Sequence, residues 1–146
     1  MEISYIHKRL NEIQQFKKSL KQGIYLFEEN KLLSSDRQAF EKGISVIIPS
    51  YKGEKFIFKC LESLFLQSLK KELFEVILII NGEKDSTEEI VKNFIKQNKI
   101  DNIILLYSDQ PSASVARNMG IKYATREYTV FLDDDDFLSK NYLERM

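Results

Sequence analysis

The sequence predicts an α/β fold, a mostly parallel sheet with flanking helices, preceded by an amino-terminal helical extension. Three observations support this prediction. After Gly43, short apolar runs without alternation follow one another, which is typical of strands covered on both faces. Segments of helical periodicity separate these runs, as in sheets built with crossover helices. Before Gly43 the periodicity is helical only, so we expect an extension over 1–42 and an incomplete α/β domain over 43–146.

The extension carries apolar residues every three or four positions over 3–27, which predicts an amphipathic helix. Gly23 weakens the second half of this helix by up to about 1 kcal/mol relative to alanine. The run Ser34-Ser35-Asp36 predicts a break after it. The apolar stripe fits two roles equally well, a coiled-coil seam that makes a homo-oligomer or a face that docks onto the following domain or a further one.

Strands and helices alternate in the rest of the chain. The predicted strands are 44–49, 74–80, 102–107 and 128–132, and the predicted helices are 54–69, 86–97 and 112–124. Asp85, with Glu88 three residues later, predicts a capping box at the start of the second of these helices. Ligands of open parallel sheets bind beyond the carboxyl ends of the strands. The residues just after each strand are therefore the candidates for chemistry.

Composition limits the classes of function. Lys plus Arg and Asp plus Glu both total 22, so no net charge attracts nucleic acid or an anionic membrane. Cys60 is the single cysteine, which excludes an intramolecular disulfide and a zinc site made of cysteines. The sequence shows no secretion signal and no run of roughly 18 apolar residues. We expect a cytoplasmic protein, and peripheral contact with the inner face of a membrane stays open.

Four consecutive aspartates, Asp133 to Asp136, directly follow the fourth predicted strand. Their charges repel one another, so the cluster is unfavourable unless a cation or a set of donors offsets that repulsion. Magnesium, manganese and calcium prefer such hard oxygen ligands, and an ion held by one or two carboxylates keeps positions free for phosphate oxygens. Taken alone, an acidic run is more often a solvated turn or a helix start.

The other predicted strands end in polar or aromatic residues. Pro49 ends the first strand, and Tyr51 offers a face on which a nucleobase can stack, although Tyr after Pro is more often a turn residue. Asn81 can donate to and accept from a base edge, although Asn-Gly is also an ordinary turn sequence. Beyond the third strand, serines can cap a helix, and Arg117 can bind phosphate or form a salt bridge to Asp133 or another aspartate of the cluster, Asp135.

Four segments of residues 44–146, in their order and spacing, resemble the family 2 glycosyltransferases with the GT-A fold. SVIIPSYK at 45–52 resembles the family's S-V-I-I-P-T-Y-N strand, and 54–69 resembles its first helix. ARNMGI at 116–121 and FLDDDD at 131–136 are similar to its A-R-N-x-G and F-L-D-x-D-D motifs. The resemblance implies an enzyme that transfers a sugar from a nucleotide-diphosphate sugar to an acceptor hydroxyl, often in the synthesis of bacterial surface polysaccharide.

The resemblance also implies cofactors, partners and site residues. The cofactor would be Mn²⁺ or Mg²⁺, the donor a UDP-sugar, and the acceptor a saccharide or a lipid-linked molecule, with no nucleic acid as partner. The D-x-D residues Asp135 and Asp133 would bind the metal. The residues implied for nucleotide-sugar binding are Pro49, Ser50, Tyr51, Glu54, Asn81, Arg117, Asn118, Asp133 and Asp134.

Two positions depart from the family pattern. Asn81-Gly82 follows an isoleucine where the family has an aspartate pair before the glycine, so the carboxylate commonly directed at the base is missing. Asn81 is its candidate substitute, and the identity of the base becomes less certain. Lys52 stands where asparagine is usual, and this cation can pair with phosphate or face water.

The family's domain continues well past its D-x-D motif with the acceptor surface and, in inverting members, a carboxylate base. We therefore expect a piece of a longer protein, with the base beyond Met146 and little or no transfer activity of its own. Two alternatives remain. A haloacid-dehalogenase-type phosphatase also has D-x-D after a strand, but its motif continues differently from Asp136-Phe137-Leu138. A metal- or nucleotide-binding interaction module without catalysis would use the helix for a partner and the aspartates for calcium.

Overall fold

The structure, a computed structural model, describes residues 40–146, and the helix predicted over 3–27 lies outside them. Its four strands form one parallel sheet in the order β3-β2-β1-β4. The strands are β1 Glu41–Ser50, β2 Phe74–Asn81, β3 Ile103–Ser108 and β4 Arg126–Phe131. The helices are α1 Ile57–Phe65, α2 Thr87–Asn98 and α3 Ala113–Tyr123. The predicted parallel sheet with flanking helices is confirmed.

Helices cover both faces of the sheet, which explains why its central strands are apolar without alternation. Along β1, Val46 and Ile48 belong to the core shared with α1 and α2, whereas Ile47 belongs to the core shared with α3. A side chain at Gly120 would collide with Ile47, so glycine lets α3 lie directly against β1. In the part of the chain that the structure describes, no helix has the length and apolar character of a membrane span.

The first strand begins earlier than the sequence predicts. The backbone N–H of Glu41 donates to the carbonyl of Thr125 at 2.9 Å, and Glu41 pairs with Arg126. The pairing is irregular between Glu41 and Ile44, and Gly43 has φ 133°, a conformation that favours glycine. Gly43 therefore marks a bulge in β1, and the division of the chain into extension and domain stays a prediction.

The capping box predicted from Asp85 and Glu88 is wrong. The Asp85 carboxylate accepts from the N–H of Thr87 at 3.0 Å, and Glu88 forms a salt bridge with Lys92 one turn later. A clasp with the loop before α1 replaces the capping box: the N–H of Ser86 donates to Glu54 Oε2 at 3.2 Å, and the N–H of Glu54 donates to Asp85 Oδ2 at 3.4 Å. The first helix correspondingly begins at Ile57, after this loop, and not at residue 54.

A buried carboxylate lies at the amino edge of the sheet, where the strands begin. Glu75 in β2 is only 8% exposed. Its Oε1 accepts from the hydroxyl of Ser45 at 2.6 Å and from the N–H of Thr125 at 2.8 Å. Its Oε2 accepts from the hydroxyl of Thr125 at 2.8 Å. These bonds connect β1 and β2 to the start of β4, and the sequence, read as an apolar run, does not predict them.

Candidate active site

The ends of β1 and β4 meet at the carboxyl edge of the sheet. Ser50, the last residue of β1, donates from its hydroxyl to Asp134 Oδ2 at 2.6 Å. A side chain at Gly53 would collide with both the Asp134 carboxylate and the Ser50 hydroxyl. Glycine at this position therefore makes room for the contact between the two loops.

Helix α3 is the third part of the site and contributes Arg117, in its second turn. Its Nη2 lies 2.6 Å from Asp133 Oδ1, and the two side chains are 34% and 53% exposed. Ser112 caps the helix, since its hydroxyl oxygen accepts from the N–H of Val115 at 3.4 Å. Of the two bridges predicted for Arg117, the one to Asp133 is confirmed. A pair this exposed adds little to stability, so its main effect is to orient the carboxylate.

The aspartate cluster creates a strongly negative region. Burial raises the pKa of Asp134, the charges of Asp135 and Asp133 raise it further, and the hydrogen bond from Ser50 opposes them. The region extends to α1, where burial and the charges of all four aspartates raise the pKa of the Cys60 thiol to about 12. A divalent cation would relieve this repulsion.

The donor set fits a metal that is shared with a substrate. Within residues 40–146, no three His, Cys, Asp or Glu side chains are grouped so that the protein alone could hold an ion. Asp133 and Asp135 are exposed carboxylates two positions apart in one turn, in which the N–H of Asp136 donates to the carbonyl of Asp133 at 3.1 Å. Hard, exposed oxygens of this kind suit Mg²⁺ or Mn²⁺, which are commonly bound by one or two carboxylates and by phosphate oxygens.

The side chain of Tyr51, directly after the end of β1, forms an aromatic platform at the same edge of the sheet. Tyr51 is 46% exposed. A Cβ built on Gly82 would lie 2.8 Å from the Tyr51 ring and 2.9 Å from Pro111 Cβ, so the loops after β1, β2 and β3 are in close contact here. Lys52 Nζ lies 5.4 Å from the ring centroid and 2.6 Å from Glu83 Oε2. Lys52 thus pairs with Glu83, whose hydrogen bond and charge raise the pKa of the lysine.

Asn81 ends β2 at the same edge of the sheet and is only 2% exposed. Its Oδ1 is buried, and no group among the described residues donates a hydrogen bond to it. An unsatisfied buried acceptor costs about 1–3 kcal/mol, so such groups are rare unless a ligand or a water satisfies them. An amide oxygen accepts an N–H, and Asn81 stands at the edge of the sheet where ligands of open parallel sheets bind.

The remaining candidate residues lie near the site without joining its bonded network. Pro49 pairs with Ile79 inside the sheet, and Asn118 is exposed beside Arg117 on α3. The Glu54 carboxylate accepts from the N–H of Ser86 and so points to the start of α2. The roles predicted for these three residues stay predictions.

Sequence reasoning missed two residues that shape the site. Gly53 has a signal, because a glycine in the loop that follows a strand often allows close approach of another group. Cys60 has no such sequence signal. Its Sγ–H donates to the carbonyl of Asp133 at 3.7 Å, and the two residues are 73 positions apart in the sequence.

Comparison with known proteins places this architecture among sugar transferases. The pattern of the family described as Glycosyl transferase family 2 matches residues 45–146. The glycosyltransferase GlyA of Streptococcus pneumoniae serotype 4 is 35% identical over 105 residues, which are 70% of this chain and 14% of GlyA. Staphylococcus aureus TarS 1–349 in complex with UDP-GlcNAc has a TM-score of 0.63 and 33% identity over 70% of this chain and 29% of that one.

A more distant structure has the same fold. The mannosyltransferase PcManGT of Pyrobaculum calidifontis, in complex with GDP-Man and Mn²⁺, has a TM-score of 0.61 and 19% identity, covering 69% of this chain and 32% of that one. This chain therefore spans less than a third of each of these three relatives.

Proposed function

Because this chain belongs to glycosyl transferase family 2, we propose that it forms the donor-binding part of an enzyme that transfers a sugar from a nucleoside diphosphate to an acceptor hydroxyl. One observation carries the proposal. Two loops and helix α3 meet at the carboxyl edge of the sheet, since Ser50 bonds to Asp134 and Arg117 bonds to Asp133. This is the edge at which open parallel sheets bind ligands. Membership of this family leaves the haloacid-dehalogenase alternative without support.

The acidic cluster is proposed to bind the diphosphate through a divalent metal, Mn²⁺ or Mg²⁺. Asp135 and Asp133 would hold the ion, which when bound stabilises the negative charge that develops on the leaving diphosphate. Arg117 keeps Asp133 in one orientation, and Ser50 does the same for Asp134. Donor and acceptor groups fixed before the substrate arrives need not reorganise during the reaction.

The base is proposed to lie on the Tyr51 platform, with Asn81 reading its edge. The buried Oδ1 of Asn81 has no donor among the described residues, and the imino N–H of uracil would supply one. The TarS structure, at 33% identity, holds UDP-GlcNAc, which supports a UDP-sugar as donor. Pro49, Glu54 and Asn118 border this region in the proposal.

The whole enzyme is proposed to act on a saccharide or a lipid-linked acceptor in the synthesis of bacterial surface polysaccharide. Support comes from a relative in Bacillus spizizenii, a poly(ribitol-phosphate) beta-glucosyltransferase that is 35% identical over 104 residues. We place the reaction in the cytoplasm, with peripheral contact at the inner face of the membrane. The catalytic base belongs to a part of the enzyme beyond this chain.

Calorimetric titration of the 146-residue chain with UDP, with and without Mn²⁺, tests the proposal. We expect Mn²⁺ to tighten UDP binding, and Asp135→Asn to reduce the Mn²⁺-dependent affinity at least about tenfold, or about 1.4 kcal/mol. Asp101→Asn is the matched control, since Asp101 is exposed before β3 at the opposite edge. Calcium binding without nucleotide affinity would instead identify a non-catalytic interaction module.

A further inference from the structure

A row of polar side chains follows one side of α1 and the turn after it. Ser63, Gln67 and Ser68, which we call the α1 seam, bind the backbone and one side chain of the segment that follows the aspartate cluster. We propose that the α1 seam, and Gln67 above all, is a positioning device that holds the cluster in place at the edge of the sheet. What the cluster binds rests on the proposed function, whereas the positioning itself does not.

Gln67 holds the segment at two points. Its Nε2 donates to the carbonyl of Ser139 at 2.7 Å and to that of Ser63 at 3.0 Å. Its Oε1 accepts from the N–H of Leu143 at 3.0 Å. Both ends of one amide are therefore used, and each fixes a backbone group that no strand of the sheet satisfies. Such two-ended use requires the glutamine in one orientation.

The other seam residues hold neighbouring points. The hydroxyl oxygen of Ser63 accepts from the N–H of Leu138 at 3.1 Å, two residues after the last aspartate. The N–H of Ser68 donates to the carbonyl of Lys140 at 2.7 Å, and its hydroxyl donates to Glu144 at 2.5 Å. The segment after β4 has only one short 3₁₀ turn, Leu143–Arg145, among its described residues. The hydrogen bonds of the α1 seam fix this segment, as the bonds of helices and strands fix other parts of the chain.

The location of the seam explains why positioning is needed. Before the cluster, Leu132 is buried and its N–H donates to the carbonyl of Ile47 at 3.0 Å. After it, Leu138 packs partly buried against the core, and the next fully buried residue is Leu143. Between these two anchors lie four adjacent carboxylates, whose mutual repulsion favours a more open arrangement of the turn. The seam bonds oppose that opening from the carboxyl-terminal side.

Gln67→Glu is the sharpest test, because it keeps the shape of the side chain and the acceptor for Leu143 but removes the donor for Ser139 and Ser63. We expect Mn²⁺ affinity in the presence of UDP to fall about tenfold, the low end of the effect of groups bonded directly to metal ligands, because Gln67 bonds the segment after the aspartates. The added negative charge alone would favour cation binding, so a loss of affinity reports the lost hydrogen bonds and the repulsion of the new carboxylate oxygen by the carbonyls of Ser139 and Ser63. Gln97→Glu on α2, an exposed glutamine, is the matched control and should bind as the wild type does.

A second variant and a second readout make the result independent of folding defects and of the metal. Ser63→Ala removes the acceptor for Leu138 without adding charge and should weaken Mn²⁺ binding in the same direction. In both variants, without metal, amide hydrogen exchange should become faster at residues 133–136 and stay unchanged in β2. A merely structural role would instead accelerate exchange across the sheet.

The outcomes separate the two proposals. Wild-type Mn²⁺ affinity and unchanged exchange at 133–136 in both seam variants would overturn the positioning role while leaving the proposed function intact. If the wild-type chain binds neither Mn²⁺ nor UDP, the proposed function fails, and the exchange measurement still decides about the seam. Faster amide exchange at residues 133–136 in Gln67→Glu but not in Gln97→Glu supports the positioning role of the α1 seam.

Discussion

The two edges of the sheet treat carboxylates in opposite ways. At the amino edge, buried Glu75 receives three hydrogen bonds, which come from Ser45 and Thr125. At the carboxyl edge, Asp134 receives its one side-chain bond from Ser50, Asp133 receives one from Arg117, and Asp135 is exposed. A carboxylate whose oxygens all accept hydrogen bonds from the protein stabilises the fold. One that keeps free oxygens at a strand end is available to a ligand.

The same contrast separates stability from binding. Removing a buried, fully bonded carboxylate leaves several donors without partners, and each is costly in a low-dielectric interior. Removing an exposed one of several like charges reduces repulsion and leaves no buried donor behind. Substitutions at the amino edge should therefore change the free energy of unfolding, and substitutions at the carboxyl edge should change affinity.

Glu75→Ala should cause the largest change in stability, because it leaves the Ser45 hydroxyl and two groups of Thr125 without an acceptor. We expect the free energy of unfolding to fall by about 3 kcal/mol, measured by urea denaturation. The affinity of the folded variant for UDP and Mn²⁺ should stay unchanged. Glu72→Ala, in the exposed turn before β2, is the control, with a change within about 0.5 kcal/mol. Equal stability of the two variants would break the contrast between the edges.

Asp134→Asn should have a smaller effect on stability, with a size that depends on pH. Burial and the neighbouring charges raise the pKa of Asp134 above that of an ordinary aspartate, so the folded state binds the proton more tightly than the unfolded state. This contribution to stability is present below the unfolded pKa and is lost as pH rises through the folded pKa. The neutral variant should therefore be more stable than the wild type at pH 7, and the difference should shrink toward pH 4.

Denaturation of both proteins in parallel between pH 4 and pH 7 measures that difference, and other groups cancel in the comparison. The asparagine oxygen still accepts the hydrogen bond from Ser50, so this contact is kept. A variant less stable than the wild type at neutral pH would mean that the Asp134 charge is stabilised by the fold, as at the amino edge.

Arg117→Lys should produce the smallest change in stability, within about 0.5 kcal/mol, because the bridge to Asp133 is exposed. Affinity for UDP with Mn²⁺ should fall by about fivefold, close to 1 kcal/mol, because lysine keeps the charge but loses the planar fork that orients the carboxylate. Arg126→Lys is the comparison at the amino edge, where Arg126 bridges to Glu41 at 3.1 Å. It should leave affinity unchanged, and a loss of affinity there would contradict the division of roles.

Much of the fold was predictable because its signals are local. The apolar runs of the four strands and the helical spacing between them predict a parallel sheet, and a parallel sheet brings all strand ends to one edge. The contacts of Ser50 and Arg117 with the aspartates follow from that topology. The pair of hydrogen bonds between the Glu54 loop and the Asp85 loop was missed. The residues joined by these bonds are 31 and 32 positions apart in the sequence.

The sequence by itself determined the α/β class, the order of the elements, the family and the carboxyl edge as the place for chemistry, because each depends on periodicity or on residues close along the chain. Only the tertiary structure decided the early start of β1, the buried hydrogen bonds of Glu75 and the hydrogen bonds of Gln67 to the segment after the aspartates. The physical reason is distance along the chain. Gln67 meets Ser139 and Leu143 across 72 and 76 positions, and no pattern within either segment specifies the other as its partner.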